Sequence, residues 1–286
     1  MPELPEVQTT VDGLNKTVKG RIIKDVTTTY KSAYHKNKDS IKDPKFFRYF
    51  QEKVVGQKIL SADRRAKNIL IHLSNGFTIL THMKMTGFYF YDAPPDAKFI
   101  RLNFILDNGK SLAFSDMRKF AKVTVVESKD IHSSTHLVHL GREPLDKSFT
   151  YKIFKGALLK RPGAPVKTVL MDQTLISGIG NIYSDEILWR ANVHPLSKTK
   201  LIPDKNLKLA FIATKETLKK GIDFGGDSMS DYKNIHGLPG KFQDHHRAYK
   251  QNKKRCQKRN CKGTIERMVV GTRSAHFCPR HQKLFS

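Results

Sequence analysis

Three cysteines, Cys256, Cys261 and Cys278, fall within the last thirty-one of 286 residues, and His281 follows three positions after the last of them. An odd number of cysteines crowded at one end cannot build a disulfide framework. Cys-x4-Cys, sixteen intervening residues and Cys-x2-His instead supply two pairs of ligands on two turns. Thiolate and imidazole are the donors tetrahedral zinc favours, and four protein ligands leave no open coordination position. The expectation is therefore one structural zinc ion held by Cys256, Cys261, Cys278 and His281. His276 is an alternative fourth ligand whose spacing fits less well. Between the pairs, Gly263-Thr264-Ile265 and Met268-Val269-Val270 suit a β-hairpin that brings both ends together.

The same tail is strongly basic, and so is the whole chain: 52 Lys+Arg against 26 Asp+Glu give a formal net charge of +26. An excess of that size attracts phosphate over long range, so the expected partner is nucleic acid. With 38% hydrophobic and 27% charged residues the composition is that of a folded chain rather than a disordered or fibrous one. No run approaches eighteen apolar residues, and the N-terminus lacks a basic-then-apolar leader. Neither a membrane span nor secretion is expected, and thiol ligands suit a reducing, cytoplasmic setting with access to DNA.

Along the chain, Val7, Val11, Leu14 and Val18 recur at helical steps and predict a first helix that Gly20 ends. Two prolines and two acids, Pro2-Glu3-Leu4-Pro5-Glu6, precede its regular part, where Pro is tolerated and acids suit the helix dipole. From there to about Glu127 the signals are β. Ser74-Asn75-Gly76 and Asp107-Asn108-Gly109 are turns between strand-like runs at 69–73 and 77–80, and at 99–106 and 111–114. A sandwich or barrel follows, closed by 119–126. After a polar, His-rich stretch the pattern turns helical through 151–159, 166–175, 183–191 and 206–220. A Gly-rich segment, 221–240, has no periodicity and reads as a long loop of the kind usually tied to function.

Two short features carry chemistry. Gly178-Ile179-Gly180-Asn181 lies between helical segments, where backbone N–H groups at a helix start can face a phosphate; a simple packing turn fits as well. Asn181 is either a donor to that phosphate or an N-cap. At the other end, removal of Met1 would leave Pro2 as a secondary amine. An α-amino group has a pKa of about 7.7–8 against roughly 10.4 for Lys, so it is better placed to attack an aldehyde carbon at neutral pH. Glu3 beside it is suited to moving protons.

Taken together, these pieces resemble the formamidopyrimidine-DNA glycosylase / endonuclease VIII family of base-excision repair enzymes. The likeness runs the length of the chain: Pro2-Glu3-Leu4-Pro5-Glu6-Val7, Arg64-Arg65-Ala66-Lys67, His82-Met83-Lys84-Met85-Thr86-Gly87, Asp116-Met117-Arg118-Lys119-Phe120, Met171-Asp172-Gln173, Gly178 to Tyr183, and the finger with Arg273. It implies an α+β multidomain fold: an N-terminal helix with a β-sandwich at 1–127, a linker at 128–147, a helix-two-turn-helix domain at 148–220, a lesion-recognition loop region at 221–250 and a zinc finger at 251–286.

The resemblance also implies a mechanism. Pro2 attacks the sugar C1′ of a flipped nucleotide, Glu3 is the acid/base residue, Lys67 matches the proton donor of β-elimination and Arg273 matches the finger arginine that assists δ-elimination. Met85, Arg118 and Phe120 match the wedge that fills the space left by the flipped base, although by residue type a Met and a Phe near strand ends belong to a core. Asn181 matches a phosphate ligand, and Lys167 matches a lysine near the DNA backbone whose plain alternative is a solvated charge. The loop from Gly225 to Tyr249 looks like that of the formamidopyrimidine branch, so the expected activity is removal of 8-oxoguanine and formamidopyrimidines by a monomer acting on double-stranded DNA, followed by β,δ-elimination. An oxidised-pyrimidine glycosylase of the endonuclease VIII type is the alternative, and a non-catalytic damaged-DNA-binding protein is another. Three departures stand out: Cys-x4-Cys and His281 where four cysteines with Cys-x2-Cys are usual, Phe99 where a histidine is common, and Gly163 in a region that is usually basic.

Overall fold

Helix α1 (Leu4–Thr17) begins at a reciprocal cap. The Glu3 backbone N–H donates to Glu6 Oε2 at 2.7 Å while the Glu3 side chain accepts from the Glu6 backbone, and Pro5 occupies the first turn, where no intrahelical N–H bond is required. Leu4, Val7, Val11, Leu14 and Val18 are all buried. At about 1.5–3 kcal/mol per buried aliphatic side chain, this stripe stabilises the seating of α1 by on the order of 10 kcal/mol.

The computed structural model describes residues 1–30, 36, 38–229 and 231–286, which divide into two units: Met1–Val138 with Phe224–Lys241, and His139–Asp223 with Phe242–Ser286. In the first unit α1 accompanies β1 (Ile23–Thr28), α2 (Pro44–Val54), β2 (Ile59–Arg65), β3 (Asn68–Leu73), β4 (Phe77–His82), β5 (Gly87–Tyr91), β6 (Ile100–Leu106), β7 (Ser111–Asp116) and β8 (Lys122–Glu127). The strands form two four-stranded antiparallel sheets, ordered β1-β6-β7-β5 and β2-β3-β4-β8. Both Asn-Gly turns join the expected hairpins, β3–β4 and β6–β7, with Gly76 and Gly109 at φ 78° and 76°.

Helix α2 corrects the reading of this region as wholly β. Asp43 caps it by accepting the Lys45 N–H at 3.0 Å, Pro44 opens it, and Phe50 and Val54 are buried in the core. Its aromatic content also suits strands, which hid the helical spacing of Phe46, Phe47 and Phe50. The Gly-rich stretch is corrected as well. Gly221 to Asp223 still belong to a helix, and the remainder is anchored: Ile235 is 2% exposed within the core of the first unit, and its carbonyl accepts the Tyr91 N–H at 2.8 Å.

The second unit holds α3 (Tyr151–Leu159), α4 (Val166–Leu170), α5 (Asn181–Ala191), α6 (Asp204–Asp223), β9 (Glu266–Val270) and β10 (Arg273–Phe277). Helix α4 stops five residues short of the expected Leu175, because the Asp172 side chain takes the Thr174 N–H at 3.0 Å and turns the chain. Helix α5 is buried along most of its length, and α6 approaches it closely at Gly221, where any Cβ would lie 2.5 Å from Tyr183 Oη. The finger hairpin pairs β9 with β10 in antiparallel register, Val270 opposite Arg273, so its strands lie later than the 263–265 and 268–270 segments singled out in the sequence.

Candidate functional sites

In the first unit, Pro2 is buried, Glu3 is 2% exposed and Glu6 is 1% exposed. The Glu6 carboxylate faces two ways. Oε2 accepts the Glu3 N–H at 2.7 Å, and Oε1 accepts the Asp227 N–H at 2.8 Å. One side chain thus ties the residue beside Pro2 to the 224–241 segment. Within that segment Ser228 Oγ donates to the Tyr232 carbonyl and accepts the Gly240 N–H, both at 2.8 Å. Ser230, part of the expected recognition loop, lies outside the described residues.

Lys67 sits in the β2–β3 turn beside Ala66, whose φ is 55°, and is buried. Its neighbour Asn68 pairs with His82 across β3 and β4. Burial first, then the charges of Lys84, Lys67 and Lys122, push the His82 pKa down to about 3, and its Nδ1 accepts the Lys84 N–H at 3.0 Å. Lys84 is itself lowered by burial and by Lys122. Lysines crowded closely enough for Lys122 to depress Lys84 make a surface that favours an incoming anion.

Met85 is 37% exposed and Phe120 51% exposed, so neither takes the core position its residue type suggests. The Arg118 guanidinium lies over the Phe120 ring, 4.6 Å from its centroid. Beneath them is a residue the sequence reasoning passed over. Asp116, fully buried, accepts the Thr86 hydroxyl at 2.7 Å, the Tyr30 hydroxyl at 2.9 Å and the Ala121 N–H at 2.9 Å, joining the turn that carries Met85 to the one that carries Arg118 and Phe120. Its place at the head of Asp116-Met117-Arg118 was the available signal. Phe99 is 45% exposed with φ 62°, leaving an apolar ring where a polar one is common.

In the second unit, Gly178 adopts φ 92° and gives its N–H to Gln173 Oε1 at 2.9 Å, so that amide is already engaged. Gly180 is the N-cap of α5, and Asn181 is its first helical residue. The N-cap alternative for Asn181 is therefore set aside, and its Oδ1 is buried with no hydrogen-bond partner among the described residues. Lys167 corrects the solvated alternative: it is fully buried, with Nζ 2.6 Å from Asp185 Oδ1, 2.9 Å from Ser184 Oγ and 3.3 Å from the Asn181 carbonyl. Arg273 is exposed at the start of β10 and lines, with Arg161, Lys167, Thr168, Gly271 and Thr272, a cavity of about 310 Å³.

The ligand atoms of Cys256, Cys261, Cys278 and His281 all lie within 4.8 Å of one another, a cluster that could hold a metal ion. His276 is excluded from it, since its N–H and Nδ1 both face Asp185 Oδ2, at 2.9 and 3.0 Å. The surroundings fit an ion. A Cβ at Gly263 would come within 2.6 Å of Cys278 Sγ, and the Gly263 N–H donates to Cys261 Sγ at 3.3 Å. Trp189 donates its indole N–H to Cys256 Sγ at 3.4 Å, and its carbonyl faces His281 Nε2 at 3.1 Å. A carbonyl only accepts, so Nε2 carries the proton and Nδ1 is left as the donor to an ion.

The architecture and the paired glycine turn define a class: residues 1–123 match the formamidopyrimidine-DNA glycosylase N-terminal domain and residues 140–233 the formamidopyrimidine-DNA glycosylase H2TH domain. The chain is 37% identical to the formamidopyrimidine-DNA glycosylase of Bacillus subtilis (strain 168) over 284 residues, 99% of each chain, and 33% identical to that of Streptococcus pneumoniae (strain ATCC BAA-255 / R6), again over 99% of each. Among solved structures it superposes on Lactococcus lactis Fpg in complex with abasic-site DNA with a TM-score of 0.87 at 28% identity, covering 98% of this chain and 99% of that one. The Fpg protein of Thermus thermophilus gives 0.84 at 33% identity, covering 98% of each. The chain belongs to the formamidopyrimidine-DNA glycosylase family. No helix among the described residues is long and apolar enough to cross a membrane.

Proposed function

We propose that this protein is a bifunctional base-excision repair enzyme that removes oxidised purines, 8-oxoguanine and formamidopyrimidines, from double-stranded DNA and then cuts the strand as an AP lyase. The observation that carries the proposal is the buried start of α1. Glu3, next to the buried Pro2, is held there by the same Glu6 carboxylate that holds the 224–241 segment, our candidate for the loop that reads the damaged base. In this scheme Met1 is removed and the Pro2 nitrogen, unprotonated, forms a bond to C1′ as the bond from C1′ to the base breaks. The base leaves with a proton, the C1′–O4′ bond then opens as Glu3 protonates O4′, and an iminium remains. Glu3 manages protons at the sugar. Loss of a C2′ proton then breaks C3′–O, with Lys67 as proton donor, and a second elimination breaks C5′–O, with Arg273 at the departing phosphate.

Met85, Arg118 and Phe120 are proposed to fill the stack when the nucleotide leaves it, since unstacking costs a few kcal/mol. Asn181 is proposed to meet the DNA backbone at the start of α5, with Lys167 supporting it from beneath rather than reaching solvent. We take the ion of the Cys3His cluster as zinc, because three thiolates and one imidazole are its donor set. Bound there with no open position, it would brace the finger that presents Arg273. The enzyme is proposed to act as an intracellular monomer.

Borohydride reduction tests the reading. With 8-oxoguanine duplex it should trap the Met-processed protein covalently through Pro2, and Pro2→Gly should abolish the adduct. Absence of an adduct from the processed wild type would sink the proposal, leaving a DNA-binding role. A clear preference for thymine glycol over 8-oxoguanine would instead favour the pyrimidine branch.

A further inference from the structure

Helix α5 grips the finger and the chain leading into it through three side chains, and each holds a different part. Glu186 accepts the Ala248 and Tyr249 N–H groups at 2.9 Å and the Arg247 N–H at 3.0 Å. Trp189 holds two metal-cluster residues, Cys256 and His281. Asp185 holds strand β10 through the His276 N–H and Nδ1, at 2.9 and 3.0 Å.

Only Asp185 is also linked back toward the start of α5. Its other oxygen pairs with Lys167 Nζ at 2.6 Å, both side chains being 0% exposed, and the same Nζ reaches Ser184 Oγ and the Asn181 carbonyl. A buried line thus runs from Asn181 through Lys167 and Asp185 to His276, three residues along β10 from Arg273. A buried ion pair is a poor source of stability, since well-packed apolar side chains serve as well or better. What it supplies is geometry. The two Asp185 oxygens point in different directions, one to an ammonium and one to a strand, and so fix the height of β10 against α5.

We propose that Asp185 is a positioning residue that sets where the Arg273 guanidinium stands for the second elimination. This rests on the proposed function, in which Arg273 assists that step. There a C4′ proton passes to water, a C4′–C5′ double bond forms, and the C5′–O bond breaks with its electron pair leaving on the 5′-phosphate, whose charge Arg273 meets. Attack by Pro2, release of the base and the first elimination do not need Arg273. Loosening β10 should therefore leave an enzyme that halts after the first cut.

The experiment uses the full-length, metal-loaded protein on duplex DNA bearing one abasic site. It reads the borohydride-trapping rate, the ratio of β to β,δ products at single turnover, and metal per chain. Asp185→Asn keeps the side chain's size and one acceptor oxygen but loses the charge opposite Lys167, while Trp189 continues to hold the finger and Glu186 the chain leading into it. Its trapping rate should stay within about twofold of wild type while the β,δ fraction falls at least about fivefold. His276→Phe retains the backbone N–H to Asp185 and loses the Nδ1 contact, so its β,δ fraction should fall by an intermediate factor.

A purely structural role would lower trapping and both eliminations together. That outcome in metal-replete Asp185→Asn overturns the proposal, as does an unchanged β,δ fraction there. If Asp185→Asn loses metal, His276→Phe decides: an unchanged β,δ fraction at full metal content overturns it. A wild type that forms no adduct refutes the function itself, a result separable from either.

Discussion

Replacing Glu6 with Gln tests the link between the Pro2 end of α1 and the 224–241 segment. The carboxylate gives one oxygen to the Glu3 N–H at 2.7 Å and the other to the Asp227 N–H at 2.8 Å, and the residue is 1% exposed. Gln keeps one acceptor oxygen and sets an NH2 group against the second buried N–H. One bond to a charged acceptor, worth roughly 1.5–3 kcal/mol, is lost, and the survivor drops to a neutral bond of about 1 kcal/mol, so the net cost is about 2–5 kcal/mol. At 1.4 kcal/mol per tenfold, that sets a ceiling of roughly 30- to 4,000-fold on any loss of rate. Two substrates locate the loss. If the Asp227 contact fails, excision of 8-oxoguanine falls while borohydride trapping on a preformed abasic site persists. If the Glu3 contact fails, both fall. A Glu6→Gln variant with stability within about 0.5 kcal/mol of wild type and unchanged rates on both substrates would refute the reasoning.

Three further outcomes follow from other parts of the fold. Gly141→Ala would place a Cβ 2.4 Å from the Leu175 carbonyl carbon and oxygen, backbone atoms that cannot swing aside. A loss of about 1–3 kcal/mol or more is expected in thermal melting, and an unchanged Tm would contradict it. His82 takes up a proton near pH 6.5 when unfolded but only near pH 3 when folded, so it makes stability fall as pH drops from about 6.5 toward 3. Urea midpoints should show this slope, and His82→Gln should flatten it; an equal slope in both proteins would rule His82 out. Trp189→Phe keeps a ring beside His281 but removes the N–H donor to Cys256, and loss of such a supporting contact lowers metal affinity about 10- to 100-fold. Competition with a chromophoric chelator measures it, and equal affinities would dismiss the contact.

What the sequence disclosed, and what it withheld, divides along the range of the interactions. Features set by near neighbours were legible: the stripe of α1, the Asn-Gly turns, and the spacing of the four finger ligands, because each is fixed by a few adjacent residues. Helix α2 was within reach, since Asp43-Pro44 is a start signal, but its phenylalanines fit a strand equally well. Lys167 was beyond reach. Nothing local announces that an ammonium will be buried against Asp185, eighteen residues later, and residue type argues the opposite. Asp116 and Asp185 were missed for a related reason: each works by joining backbone or side chains from distant segments, and a lone Asp carries no periodic mark. For Met85 and Phe120, residue type pointed to a core and only the family resemblance to a wedge, and the folded chain leaves both side chains exposed.

The first unit is not continuous in sequence. The chain leaves it after Val138 and returns at Phe224, bringing Ile235 to a face of α1 where Gly13 leaves room: a Cβ there would lie 2.7 Å from Ile235 Cγ2. During synthesis this seat stays empty until the ribosome has passed residue 241, although α1 was made at the outset. The setting of Pro2 is thus among the last parts of the unit to be completed, and a nascent chain carries its proposed nucleophile unfinished while most of the second unit's helices are being made. A fragment ending at Val138 would be arrested at that stage, with an open socket that a synthetic 224–241 peptide is shaped to fill.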